Sequence, residues 1–143
     1  LVAIHRPGQH GPAPVSRSVD GGRSWSALEP GDLAIAASKP LCLALSTGQQ
    51  VLLSNDPAAG RTLLRLAATA PGGGAFTRMW KLRHQAFPRR RLFGGWGDGP
   101  VVGHETEWSY PSAVEHDGRL LIAYTQGKED AALSIVPLFA LRA

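Results

Sequence analysis

Residues 18–25 read Ser-Val-Asp-Gly-Gly-Arg-Ser-Trp. The side-chain oxygens of Ser18 and Asp20 can accept hydrogen bonds from nearby backbone N–H groups, and the two glycines that follow allow positive φ angles. Trp25 is expected to begin the next strand and to pack its indole beneath the turn. The octapeptide therefore predicts a locked turn inside a β-hairpin. It performs no chemistry itself.

Strand signals surround this turn along the whole chain. The 17 glycines and 11 prolines, with few helical runs between them, favour an all-β chain with many turns. Four-stranded antiparallel sheets at intervals of about 40–50 residues are typical of β-propeller blades. The predicted strands cover residues 1–6, 15–19, 38–46, 50–55, 61–68, 76–83, 109–115, 119–126 and 132–141.

The composition argues against several other classes of function. The charge of +4 is modest and comes largely from residues 81–93, which form either a solvated loop, the interpretation we favour, or an anion-binding patch without a nucleic-acid motif. No stretch approaches the roughly 20 apolar residues of a membrane span. The single cysteine, Cys42, excludes an internal disulfide, and the five histidines lack metal-ligand spacing. We therefore expect no nucleic acid, membrane, metal or cofactor.

The octapeptide fits the pattern Ser-x-Asp-x-Gly-x-Ser/Thr-Trp, which is the Asp box of sialidases and related β-propellers. The matching residues are Ser18, Asp20, Gly22, Ser24 and Trp25. Three parts of the chain resemble that family and occur in the family's order. They are residues 1–6 together with 16–26, residues 53–66 and residues 108–125. Together they make the chain resemble the sialidase (neuraminidase) superfamily in its branch with BNR-like repeats.

The resemblance implies an all-β fold with about three four-stranded antiparallel blades of a six-bladed β-propeller, incomplete as given. The chain begins at Leu1, inside a predicted strand and without Met. We therefore expect residues 1–143 to be the C-terminal half of a larger propeller domain. The expected blades cover roughly residues 1–36, 37–87 and 108–143, with a long loop at 88–107.

The resemblance also implies three site residues. In sialidases an arginine triad binds the substrate carboxylate, a tyrosine paired with a glutamate is the nucleophile, and an aspartate is the acid/base. Arg6 resembles the second arginine of the triad and Arg61 the third, while Tyr110 occupies the place of the nucleophile. The first arginine, the aspartate and the glutamate partner are expected to precede Leu1.

The chemistry of the substrate explains these residue types. A sialic acid carries a carboxylate on its anomeric carbon, and the planar fork of arginine binds a carboxylate through two charge-assisted hydrogen bonds. A carboxylate nucleophile would be repelled by that group. A tyrosine avoids the repulsion because it is neutral until a neighbouring base removes its proton, and sialidases are therefore an exception to the two-carboxylate scheme of glycosidases.

Each of the three assignments has an alternative in the sequence. Tyr110 is equally compatible with an ordinary inner-strand aromatic whose hydroxyl is bonded to a neighbouring blade, and Pro111 follows it where many sialidases have a serine. Arg61 is compatible with a surface charge on a strand. Arg17, on the adjacent predicted strand, can take the place of Arg6.

The resemblance predicts a sialidase-like exo-glycosidase that removes terminal sialic acid or a related acidic sugar from glycoconjugates. The chain alone would lack part of the active site and be inactive. Its partners would be a glycan and the remaining propeller blades, in an extracellular or periplasmic location. The alternatives are a non-catalytic carbohydrate-binding propeller and another glycan-active enzyme on the same scaffold, since fold does not determine function.

Overall fold

A computed structural model describes residues 1–84, 107–127 and 130–142, and these residues form ten β-strands in three antiparallel sheets. The prediction of an all-β fold built from blade-like sheets is confirmed. Two of the three sheets contain three strands rather than four within the described residues. Of the predicted loop at 88–107 only Glu107 is described, and of the basic stretch 81–93 only residues 81–84.

Each sheet is a meander in which consecutive strands pair. Sheet 1 contains β1 (Val2–Ile4), β2 (Gly11–Arg17) and β3 (Glu29–Ile35). Sheet 2 contains β4 (Leu41–Ala44), β5 (Gln50–Asp56), β6 (Gly60–Ala70) and β7 (Gly73–His84). Sheet 3 contains β8 (Trp108–His116), β9 (Arg119–Gln126) and β10 (Asp130–Pro137), followed by a 3-10 helix at Leu138–Leu141.

The central sheet 2 buries both of its faces. On β5, Val51 and Leu53 belong to the core shared with sheet 3, whereas Leu52 belongs to the core shared with sheet 1. This alternation follows from the two-residue period of a strand. All three side chains are 1% exposed or less, so β5 reads as a continuous apolar run. Sheet 2 therefore lies between the other two sheets, as stacked blades require.

The Asp box forms the connection between β2 and β3. Asp20 Oδ1 accepts hydrogen bonds from Ser18 Oγ at 2.8 Å and from the backbone N–H groups of Arg23 and Ser24 at 3.0 and 2.9 Å. Asp20 Oδ2 accepts a bond from Ser24 Oγ at 2.6 Å, and Ser18 Oγ accepts one from the N–H of Gly22 at 2.8 Å. The turn is held by its own side chains, as the sequence predicts.

The predicted role of Trp25 is only partly correct. Its indole Nε1 donates to the carbonyl of Gly22 at 3.1 Å, but the side chain remains 45% exposed. The next strand begins at Glu29 rather than at Trp25, because the chain first forms a loop in which the N–H of Ser26 bonds back to the carbonyl of Arg17 at 2.9 Å. Strand β3 is not predicted from the sequence, because its first four residues are Glu-Pro-Gly-Asp, a composition typical of turns.

The Asp box gives the protein a defined acid sensitivity. Hydrogen bonds from Ser24 and Ser18 hold the pKa of Asp20 well below its ordinary value of 3.8. A carboxylate whose pKa falls on folding stabilises the protein above the unfolded pKa, and this contribution disappears as the pH falls through the folded pKa. We expect Asp20→Asn to lower the melting temperature at neutral pH, with a difference from the parent that shrinks below about pH 4.

Thermal melts across a pH series measure this difference. Asp117→Asn is the matched control, because Asp117 is exposed and lies in a turn with φ of 47°, a conformation that asparagine also adopts. The control difference should stay small at every pH. A constant difference for Asp20→Asn down to the acid limit would contradict the role of the carboxylate charge.

Candidate functional site

Asn55, at the end of β5, joins all three sheets. Its carbonyl accepts the N–H of Ala36 at 3.0 Å, directly after sheet 1 ends. Its Nδ2 donates to the carbonyl of Leu63 within sheet 2 at 3.3 Å and to that of Trp108, the first residue of β8, at 2.7 Å. The side chain is 1% exposed. Asn55 therefore fixes the end of β5 against the beginning of β8.

This junction brings two of the predicted site residues together. Arg61, the second residue of β6, has its guanidinium carbon 5.4 Å from the ring centroid of Tyr110 on β8. The same guanidinium lies 3.5 Å from Glu107 Oε2, and both side chains are 22% exposed. A cation over an aromatic face is attracted by the ring quadrupole. The cluster thus combines one cation, one anion and one phenol at the rim of two sheets.

The backbone presents Tyr110 to solvent. Its φ of 55° lies in the left-handed region, and the β8–β9 register shifts between Ser109 and Ser112. Bulges of this kind redirect side chains and occur next to active sites. The two neighbours, Ser109 and Pro111, are buried, whereas Tyr110 is 40% exposed. A bulky residue in this conformation costs about 1–3 kcal/mol, which makes the position a candidate for function.

The chain has two tyrosines, and they have opposite environments. Tyr124 is 3% exposed, and its hydroxyl bonds to Arg83 Nε at 2.6 Å and to Ser134 Oγ at 2.8 Å. The Tyr110 hydroxyl makes no hydrogen bond with any residue that the structure describes. The alternative of a structural tyrosine bonded across sheets therefore describes Tyr124 rather than Tyr110.

Arg6 follows the end of β1 and is exposed. Its side chain makes no hydrogen bond or ion pair within residues 1–84, 107–127 and 130–142. The end of β1 pairs with β2 on the side nearer the start of β2. The start of β2 in turn pairs with Ile35, the last residue of β3. The next residue, Ala36, donates its N–H to Asn55. Arg6 therefore lies at the same end of the sheets as Arg61, without a direct contact to it.

Arg17, the alternative to Arg6, lies at the other end of sheet 1. Arg17 pairs with Val2 at the start of β1, whereas Arg6 follows the far end of that strand. Antiparallel pairing places the two arginines at opposite ends of sheet 1. The two arginines therefore occupy different ends of the sheet, although their strands are adjacent in the sequence.

Sequence reasoning missed Glu107 and Arg65. Glu107 falls in the stretch interpreted as a loop, and its only sequence signal is a carboxylate three residues before Tyr110. Arg65 lies on β6 with a side chain 7% exposed, where its NH1 is 3.0 Å from Asp56 Oδ2 and its NH2 donates to the carbonyl of Ala34. Burial lowers the pKa of Arg65, and Asp56 opposes that shift. This arginine fastens sheet 1 to sheet 2 rather than facing a ligand.

Other kinds of site find no support in the described part of the chain. No group of three or more His, Cys, Asp or Glu side chains there has the arrangement of a metal site. Among the same residues no helix has the length and apolar character needed to cross a membrane. Cys42 is partly buried against the core between sheets 1 and 2, and burial raises the pKa of its thiol.

Comparison with known proteins adds one finding. A family model described as a BNR repeat-like domain matches residues 1–122. The match includes the Asp box, both complete sheets 1 and 2, and the first strand of sheet 3. Neither a curated protein nor a solved structure matches the chain. The matched range contains Arg6, Arg61, Glu107 and Tyr110.

Proposed function

Because the chain belongs to the BNR repeat-like domain family, we propose that it forms part of a sialidase-like exo-glycosidase acting on terminal sialic acid or a related acidic sugar. The family supports a glycan-related role. The observation that carries the finer proposal is the Arg61 guanidinium 5.4 Å from the ring of an exposed Tyr110 with a left-handed backbone. The arginine proposed to bind the substrate carboxylate therefore lies beside the tyrosine proposed as the nucleophile.

In this proposal Arg61 binds the substrate carboxylate, assisted by Arg6 from the same end of sheet 1. Glu107, 3.5 Å from Arg61, holds the guanidinium in place and balances its charge when no substrate is bound. Tyr110 Oη loses its proton to a base and forms a bond to the anomeric carbon. The glycosidic C–O bond breaks, and its oxygen takes a proton from an acid. Water then hydrolyses the tyrosyl–sugar bond and releases the sugar.

The acid and the base are proposed to come from further blades, with the three sheets as consecutive blades of a larger six-bladed propeller. Sheet 3 supports this arrangement, since one of its faces packs on sheet 2 while the other exposes a row of apolar side chains. These are Val114, Leu133 and Ile135, which are 57%, 56% and 53% exposed. An apolar sheet face of this kind normally lies in an interface. A further blade would cover it in the same way as sheet 2 covers the other face of sheet 3.

The second candidate is a glycan-binding propeller without hydrolysis. It is favoured by the Tyr110 hydroxyl, which has no hydrogen-bonded base among the described residues. In that case Arg61 and Tyr110 bind the sugar by charge and stacking alone. A fluorogenic sialoside distinguishes the two, because the first candidate releases the fluorophore and the second binds the sialoside intact.

Arg61→Ala tests the carboxylate site. Loss of charge-assisted hydrogen bonds should weaken binding of a sialoside about 10- to 100-fold, while a neutral analogue that lacks the carboxylate is affected much less. Titration calorimetry with both sugars measures the difference. Arg119→Ala is the matched control, because Arg119 is exposed at the start of β9 beside the β8–β9 turn. Equal weakening for the charged and neutral sugars would exclude Arg61 as the carboxylate ligand.

A further inference from the structure

A groove of about 400 Å³ lies between sheet 1 and the beginning of β7. Gln50, which lines it, is the first residue of β5, whereas Arg61 follows the opposite end of that strand. Seven residues of strand at about 3.3 Å each separate the two ends by roughly 20 Å. The groove is therefore distinct from the cluster of Arg61, Glu107 and Tyr110.

The polar side chains of the groove are available to a ligand. Asp32 Oδ2 accepts the N–H of Phe76 at 3.1 Å, which fixes this carboxylate on the rim. The guanidinium of Arg17, the carboxylate of Glu29 and the side-chain amide of Gln50 make no hydrogen bond to any other described residue, although all three line the same space. Donors and acceptors are thus mixed around one opening.

The rest of the lining is apolar. Val2 and Ile4 of β1, Val15 of β2 and Phe76 of β7 form the walls. Pockets of this volume are typical of small-ligand sites, and the lining of this groove is polar and apolar in similar proportion. The combination suits a pyranose ring, whose hydroxyls both donate and accept hydrogen bonds and whose C–H face packs on apolar side chains.

We propose that this groove is a second glycan site, which binds a neutral hexose unit. One arginine against two carboxylates gives the groove a net charge of −1 at neutral pH, so a sugar acid is repelled there while it is attracted to Arg61. The two sites face opposite ends of the sheets and cannot bind one short glycan together. Occupation of the groove would instead anchor the protein to a glycan-rich surface and raise the local substrate concentration.

Amide chemical shifts of the isotope-labelled chain test the proposal. Methyl glycosides of glucose, galactose and mannose are titrated separately, with N-acetylneuraminic acid as the acidic comparison. We expect at least one neutral glycoside to shift the amides of Gln50, Gly74 and Phe76 with a Kd of about 1 mM. Sialic acid should leave those amides unchanged. If none of the three neutral sugars shifts them, or if sialic acid shifts them equally, the proposal is overturned.

Variants separate this site from the proposed catalytic one. Glu29→Ala and Gln50→Ala should each weaken the neutral sugar about tenfold, whereas Arg61→Ala should leave it unchanged. A neutral sugar whose binding depends on Arg61 and not on Glu29 or Gln50 would refute a separate groove site. Failure of sialoside cleavage has no bearing on this result, because the readout is binding at the other end of the sheets.

Discussion

Tyr110→Phe should lower kcat for a fluorogenic sialoside by about 10⁴-fold or more in the proposed six-bladed propeller, because the substitution removes the only atom of this side chain able to form the proposed covalent intermediate. The aromatic ring remains, and so does its contact with Arg61. Binding of the sialoside should therefore change little. Steady-state kinetics together with titration calorimetry separate the two effects.

Tyr124→Phe is the matched control for loss of a phenolic hydroxyl. Its hydroxyl bonds Arg83 and Ser134 in the core, so its removal should reduce stability and leave turnover close to the parent value. A fluorinated sialic acid should trap a covalent adduct on Tyr110 in the parent and none in Tyr110→Phe. Full turnover by Tyr110→Phe would eliminate the nucleophile role and leave the glycan-binding propeller.

Arg65→Met should lower the free energy of unfolding by about 3–5 kcal/mol, the usual cost of removing one partner of a buried ion pair. The substitution keeps the apolar volume of the side chain but leaves Asp56 Oδ2 and the Ala34 carbonyl without the guanidinium donor. Since domains are stable by only about 5–15 kcal/mol, this single change removes a large part of the total. Urea unfolding followed by tryptophan fluorescence measures the loss.

The exposed Arg119 supplies the control for this variant as well. Arg119→Met should change stability by less than about 0.5 kcal/mol, as surface substitutions usually do. In a double-mutant cycle, Asp56→Asn should cost much less in the Arg65→Met background than in the parent, because the two charges are coupled. Additive losses would contradict the coupling of Arg65 to Asp56 within sheet 2. A loss under 1 kcal/mol for Arg65→Met would contradict the fastening of sheet 1 to sheet 2 by this arginine.

The parts of the fold that follow from local residues are predictable from the sequence. The Asp box works through side chains within six residues of each other, and the predicted turn at Asp117 and Gly118 has positive φ at both residues. Strand β3, which the sequence does not predict, shows where prediction from local residues fails. Pro30 and Gly31 indicate a turn, yet β3 lies at the edge of sheet 1, where a proline costs no ladder hydrogen bond.

The candidate site likewise contains residues that the sequence predicts and residues that only the structure identifies. The resemblance points to Arg6, Arg61 and Tyr110, of which Arg61 and Tyr110 lie together in the structure. Arg17, on the adjacent predicted strand, is the alternative to Arg6. Strand register separates those two arginines, and register depends on which residues pair across sheet 1. The position of Glu107 three residues before Tyr110 does not predict its contact with Arg61, because that contact joins residues 46 positions apart.

The sequence alone determined the turns, the two-residue alternation and therefore the all-β sheets, since these depend on backbone preferences and burial over a few neighbouring residues. Tertiary structure alone decided which side chains meet. Asn55 bonding to Trp108, Arg65 reaching Ala34 and the bulge that exposes Tyr110 all depend on how one sheet is placed against the next. Those placements come from packing and hydrogen bonds between distant segments, whose energies no local pattern of residues records.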